Sequence, residues 1–549
     1  MNTPERQSPT EPLDIQQKTD AIRSGARPVE RDYPYIPPDY RVPFLHIGTE
    51  RQLFLDNFIL DHLEGVRREV CVPAKTAEPL LAWSDLPWEQ VQFNPGTAGV
   101  VHDPDDGLFK MWYWQGLTGH AFNEGQVLCY AESRDALQWE KPLRDDCLPF
   151  EGHKATNIVH PDVSQSGLAL NYDRSDPDRK YLLVNWPPKA ARVRPPGSPR
   201  LSRVDASPDG IRWQTISEES AFPHHHEQKI FWDGSIRRWV GFSQYSHHQN
   251  FLYRKRQIGR QESADFINWS PKEVALSADW DANLPPDLEM HDMSARKVGG
   301  LYIGITSEFM AEPFWQERDG HNWRDQAFSR LGLYTSRDGR RWQRVGGPGP
   351  WVDTGDPGDQ DYGFACFTPA GTLVHDGRMV IPYSANPQKQ SWLHPGPPTP
   401  LYPREEFARR QQEWRARAAI QGESGIRRAV NGLVLREDGW ARLVPAYESG
   451  RVLTKQFVFE GDSLRVNADC RYGYVRVELL DPCFQPYDGF SAQQCDPLIG
   501  AADQIWHTVR WQGGGDLRTL WDKPVRIRFQ VHEASLYSFQ FLNSENDVE

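Results

Sequence analysis

The 549 residues predict an all-β chain, a five-bladed β-propeller over residues 46–443 followed by a C-terminal β-sandwich over 444–549. Three observations carry that reading. The pattern S-x-D-x-x-x-W occurs four times, at Ser133, Asp135 and Trp139, at Ser207, Asp209 and Trp213, at Ser263, Asp265 and Trp269, and at Ser336, Asp338 and Trp342. A run rich in aromatic and branched side chains stands ahead of each copy. Beyond residue 444 the repeat gives way to short alternating runs separated by turns such as Gly461 and Asp462.

Composition frames the alternatives. With 38% hydrophobic, 12% aromatic and 25% charged residues and 21 tryptophans, the chain is globular, and it contains no apolar run long enough to span a membrane. A net charge of −13, from 62 basic and 75 acidic residues, disfavours nucleic acid and anionic membranes as partners. Seven dispersed cysteines without a CxxC pair argue against a disulfide scaffold or a structural zinc site. Residues 1–45, polar and without the apolar core of a secretory signal, read as a disordered or extended tail on a cytoplasmic protein.

Along the propeller, each unit reads as strand, turn, strand, loop, strand, S-x-D turn, strand. The second strands are the runs 108–114, 179–186, 237–243, 300–306 and 377–383, most of them preceded by a shorter apolar run and an acidic or glycine turn. In the S-x-D turn, the Ser and Asp side chains can bond backbone amides. Gly210 and Gly339 tolerate positive φ there, and the Trp opens the next strand and packs its ring between sheets. A shortened copy, Asp438 to Trp440, marks the fifth unit. The copies lie about 55–100 residues apart, too irregular for a solenoid but suited to blades with insertions. Residues 403–422 read as a helical insertion, with Pro403 near its start and Gly422 after its end. That helix and the proline-rich stretch before it are candidates for a lid or a homo-oligomer contact.

These strands and turns, with the segment Leu53-Phe-Leu-Asp56 near the start, resemble the invertase, arabinanase and levansucrase superfamily of propeller glycoside hydrolases. The resemblance implies a carbohydrate substrate and a glycosidase site in the central channel. It also implies a general acid on the third blade and an aspartate on the first, where residues 93–97 hold none.

Propeller first strands line the channel, so polar groups at one end of them converge. The candidate segments are 88–94, 154–157, 224–228, 289–292 and 359–362, ahead of blades one to five in turn. Glycosidic cleavage needs one protonated and one ionised carboxyl group. Glu227 is first choice for the acid, since His225, His226, Ile230 and Phe231 surround it in sequence and partial desolvation raises a carboxyl pKa. For the second carboxylate Asp292 leads, ahead of Asp361 and Glu289, with Glu89 and Asp56 also considered. Substrate contacts are expected from Trp88, Asn94, Asn157, His225, His226, His291 and Tyr362.

Paired carboxylates require no cofactor. Two other chemistries use the same residues. The segment Asn94-Pro-Gly is similar to that of propeller mannoside phosphorylases, and with Lys229 and Arg296 it opens phosphorolysis. His224, His225, His226, His247, His248 and His291 supply imidazoles for a divalent metal, although at most two of three successive residues on a strand share a face. A noncatalytic carbohydrate-binding propeller is the reading from a different class.

Overall fold

The computed structural model describes residues 44–82, 84, 86–89, 96–116, 126–161, 163, 166–173, 175–185, 202–220, 229–246, 256–286, 288–310, 328–356, 358–366, 371–387, 428–500, 504–513 and 515–543. The expected tail up to residue 43 and the helix 403–422 lie outside these residues.

Five antiparallel sheets follow one another along the chain. Their first strands are Gly96–His102, Gly167–Leu170, Lys229–Asp233 and Leu288–Val298, and in the fifth sheet Phe364–Cys366 with Leu373–His375. Each first strand packs against that of the next sheet through blade four. Phe328–Ser336 of blade four meets Phe364–Cys366, and Leu373–His375 returns to Gly96–His102, so the ring closes.

A buried cluster fills each gap between neighbouring sheets, because alternate residues of a strand face opposite sides and both sides are covered. In Phe109–Gly116, Trp112 and Trp114 pack toward blade two, while Met111 and Tyr113 pack toward blade five. This double burial explains why these strands read as nearly continuous apolar runs.

The four S-x-D turns are alike in detail. Oδ1 of Asp135, Asp209, Asp265 and Asp338 accepts two backbone amides at 2.7–3.0 Å and the hydroxyl of the motif Ser at 2.9–3.1 Å. The Trp Nε1 donates to the carbonyl three residues back. The shortened fifth copy is a different turn. Asp438 itself takes a positive φ of 58°, and its carboxylate accepts Ser538 Oγ at 2.6 Å and Arg51 Nη1 at 3.1 Å, both from the sandwich side.

Two expected placements are corrected. The stretch 154–157 does not lead into blade two, because Ile158–His160 pairs with Gln126–Ser133 as an outer strand of blade one. The segment 46–70 does not belong to the propeller either. Gln52–Leu53 and Val66–Val70 join one sheet of the C-terminal unit, Leu60–Glu64 joins the other, and Leu45–Gly48 pairs with Phe457–Phe459. Ala74–Lys75 then forms the outermost strand of blade five.

The propeller is therefore inserted between the first and later strands of the sandwich. That sandwich buries one core, with Ile527, Phe529 and Val531 alternating inward along Arg526–His532. It docks under blades four and five through their hairpin turns. Arg337 grips Asp56 with two bonds of 2.8 Å, and Gly299, at φ 54°, lies so close to Arg51 that a Cβ would stand 2.1 Å from its carbonyl oxygen. These turns are at the end of the ring opposite to that where the first strands begin.

Candidate functional site

At the end where the first strands begin, buried polar and charged groups of blades one, three and four come together. Lys229 opens the first strand of blade three, and its Nζ donates to the main-chain oxygen of Thr97 on blade one at 2.9 Å. Its side chain thus reaches past the first strand of blade two. Arg256 opens the third strand of blade three, and its Nη1 pairs with Glu289 Oε2 at 2.7 Å. The Arg256 guanidinium also lies 4.6 Å from the ring centre of Phe309, which in turn stands 5.9 Å from the His291 ring.

The first strand of blade four is irregular here. Its register shifts between Met290 and Asp292, so His291 is an extra residue in the strand. Bulges of this kind re-aim side chains near functional sites. Blade three holds this bulge in place, since Gln244 Nε2 donates to the His291 carbonyl at 3.2 Å, and within the bulge His291 Nδ1 stands 3.6 Å from Asp292 Oδ2. Behind Gln244, the Lys272 amine donates to its main-chain oxygen at 3.0 Å, and burial pulls that amine down to about 7. Lys229, Arg256, Glu289 and Asp292 are all buried, and these four bring two ionisable groups of each sign to this end.

The expected residues divide into three groups. Glu289, His291 and Asp292 lie at this end, at the start of Leu288–Val298. Glu227, Asn94, His224, His225, His226, His247 and His248 lie outside the described residues. Trp88, Asn157, Asp361 and Arg296 are elsewhere.

Trp88 and Asn157 belong to a buried network between blades one and five. Trp88 Nε1 donates to Asn157 Oδ1 at 2.9 Å, and Asn157 Nδ2 donates to Tyr113 Oη at 2.8 Å. Tyr113 donates to Glu89, which Lys141 also pairs at 2.8 Å. Glu89 is fully buried and is spent on this network rather than on a substrate. Asp361 takes a 2.6 Å ion pair from Lys75 of the outermost strand of blade five and a 2.9 Å bond from Tyr383. These partners hold it on the body of the blade. Tyr362 beside it is half-buried. Arg296 stands four residues beyond Asp292 on an extended strand, roughly 13 Å toward the sandwich end, which takes it out of the phosphate set.

Sequence reasoning missed Gln244, Arg256 and Phe309. Gln244 and Arg256 had a signal, a polar residue near the end of the second strand of blade three and another at the start of its third, where Arg256 pairs with Ser246. Among the described residues no group of three or more His, Cys, Asp or Glu side chains is arranged to hold a metal ion.

No family model matches the chain, and no curated protein does. Solved structures similar to it include a Bombyx mori β-fructofuranosidase, 11% identical over 83% of this chain and 96% of that one, with a TM-score of 0.33. A Schwanniomyces occidentalis fructofuranosidase complexed with fructosylnystose is 11% identical over 87% of this chain and 100% of that one, TM-score 0.36. The exo-β-1,3-galactanase of Phanerochaete chrysosporium is 12% identical over 86% and 99%, TM-score 0.35. Likeness this loose transfers no residue role.

Proposed function

We propose that the protein hydrolyses a glycosidic bond in a small, uncharged oligosaccharide at the end of the channel where the first strands begin. The observation that supports this reading best is the pair of buried carboxylates Glu289 and Asp292 on one first strand, on either side of the bulge at His291. Asp292 is the base or nucleophile, oriented by the bulge. Glu289 is a positioning residue, because its carboxylate is committed to Arg256 and fixes that cation over Phe309. The proton donor is Glu227, two residues ahead of the strand that begins with Lys229. Chemistry requires no metal in this scheme, and water supplies the second reactant.

The test is a panel of aryl glycosides and fructo-, arabino-, manno- and galacto-oligosaccharides, assayed with the full chain, with Asp292→Asn and with Glu227→Gln. Arms with a chelator and with inorganic phosphate separate metal-assisted cleavage and phosphorolysis from hydrolysis. Turnover by the wild type that both variants lose supports the reading. Binding without turnover by the wild type overturns it in favour of a carbohydrate-binding propeller.

A further inference from the structure

Between the outer strand of blade three, Glu273–Leu276, and the first strand of blade four the chain makes a short 3-10 turn, Ala278–Trp280. It lies at the same end of the ring as Asp292 and packs against the strand that carries it. The turn is firmly rooted. Ser277 is buried, its Oγ accepts the Asp279 amide at 3.3 Å and the Gln257 Nε2 at 2.9 Å, and the Asp281 amide closes on the Ala278 carbonyl at 3.2 Å. Ala278 and Leu284, on either side of Trp280, sit in the same core as Leu288 and Met290.

Trp280 itself is 60% exposed, the most exposed tryptophan among the described residues. Tryptophan carries the largest flat apolar surface of any side chain, and on this anchored turn most of that surface remains open to a ligand. Asp279 and Asp281 flank it, and Asp281 Oδ1 holds Asn283 by its backbone and side-chain nitrogens at 2.9 and 3.0 Å. A flat ring between two carboxylates repels anions. It presents an apolar face for the C–H face of a sugar, with acceptors at its edge for the hydroxyls.

We propose that Trp280 is an outer subsite that stacks on a sugar unit of a neutral oligosaccharide whose reacting unit lies at Asp292. This rests on the reading above and adds chain-length selectivity to it. The turn is preformed, so the subsite costs little ordering on binding.

The experiment measures the affinity of the wild type, Trp280→Ala and Trp280→Phe for the neutral oligosaccharides above, from two to six units, by titration calorimetry. Circular dichroism melts check that each variant is folded. The wild type should tighten as units are added. Trp280→Ala should lose about three- to tenfold in affinity for the longer chains and nothing for the disaccharide, and Trp280→Phe should keep most of the gain. Equal length dependence in wild type and Trp280→Ala overturns the subsite and leaves the functional reading standing. A wild type that binds none of the oligosaccharides overturns both.

Discussion

Asp233, the last residue of the first strand of blade three, accepts a hydrogen bond from Tyr302 near the start of the second strand of blade four. Asp103 and Tyr181 make the same bond between blades one and two. Burial alone would raise these carboxyls. For Asp103 the bonds from Lys110, Lys180 and Tyr181 outweigh it and hold the carboxyl well below the usual range, and for Asp233 those from Ser235 and Tyr302 with the Lys297 charge lower it as well. Each pair ties neighbouring blades together at the end away from the candidate site.

Removing either lock should loosen the ring without touching the site. Tyr302→Phe should cost about 1–3 kcal/mol. Asp103→Asn, which leaves Lys110 only Asp106 and Lys180 only Asp105 as carboxylate partners, should cost about 1–3 kcal/mol. Urea unfolding with unchanged m-values is the measurement. Because these carboxyls are depressed in the folded chain, the stability they contribute is present at neutral pH and is lost on acidification through their folded pKa.

The pair Arg256 and Glu289 makes a second prediction. Arg256→Met should destabilise by about 3–5 kcal/mol, since it leaves a buried carboxylate without its cation. Adding Glu289→Gln should restore much of that loss. Thermal melts of both singles and the double close the cycle, and a double no better than Arg256→Met would show that the two residues act separately.

Asp292→Asn should abolish turnover of whatever glycoside the panel identifies, by about 10³-fold or more in kcat, with little change in affinity. Single-turnover kinetics beside equilibrium binding separates the two. An equal fall in affinity would place Asp292 in binding rather than in chemistry.

Lys272 should make stability depend on pH. Burial lowers its amine from 10.5 to about 7, so between those values the unfolded chain holds a proton that the folded chain does not. Stability therefore rises with pH across that window, and the penalty is complete below it. Lys272→Met should raise the melting temperature most at about pH 6, and the advantage should fade toward about pH 10. Denaturation series of both proteins across that range read this directly.

Gly299→Ala should weaken the hold of the sandwich on the propeller. The residue sits at φ 54°, and the new Cβ would press on the Arg51 carbonyl at 2.1 Å. The conformational cost alone is about 1–2 kcal/mol. Displacement of Arg51 from Glu437 and Asp438 adds to it. Limited proteolysis at the junction, alongside the melt, distinguishes undocking from global unfolding.

The repeating parts of this protein are written in local sequence. A turn such as that of Asp209 is closed by bonds among residues at most three apart, and a run such as 108–114 declares its pairing by composition, so both are legible without knowing what surrounds them. Local sequence also marked Glu289, His291 and Asp292 as residues that begin a recognisable strand, Leu288–Val298.

The remaining features depend on partners far apart in the chain. Strands at 52–53 and 66–70 pair with strands near 443 and 539, and nothing local distinguishes them from propeller strands. Trp88 and Asn157 looked like channel residues, but Trp88 donates to Asn157 and Asn157 to Tyr113. Asp438 looked like a fifth turn and instead holds Arg51 and Ser538. A polar side chain finds its use in whichever group the fold brings within 3 Å, and for these residues that group comes from another strand, up to 387 positions away for Asp438 and Arg51.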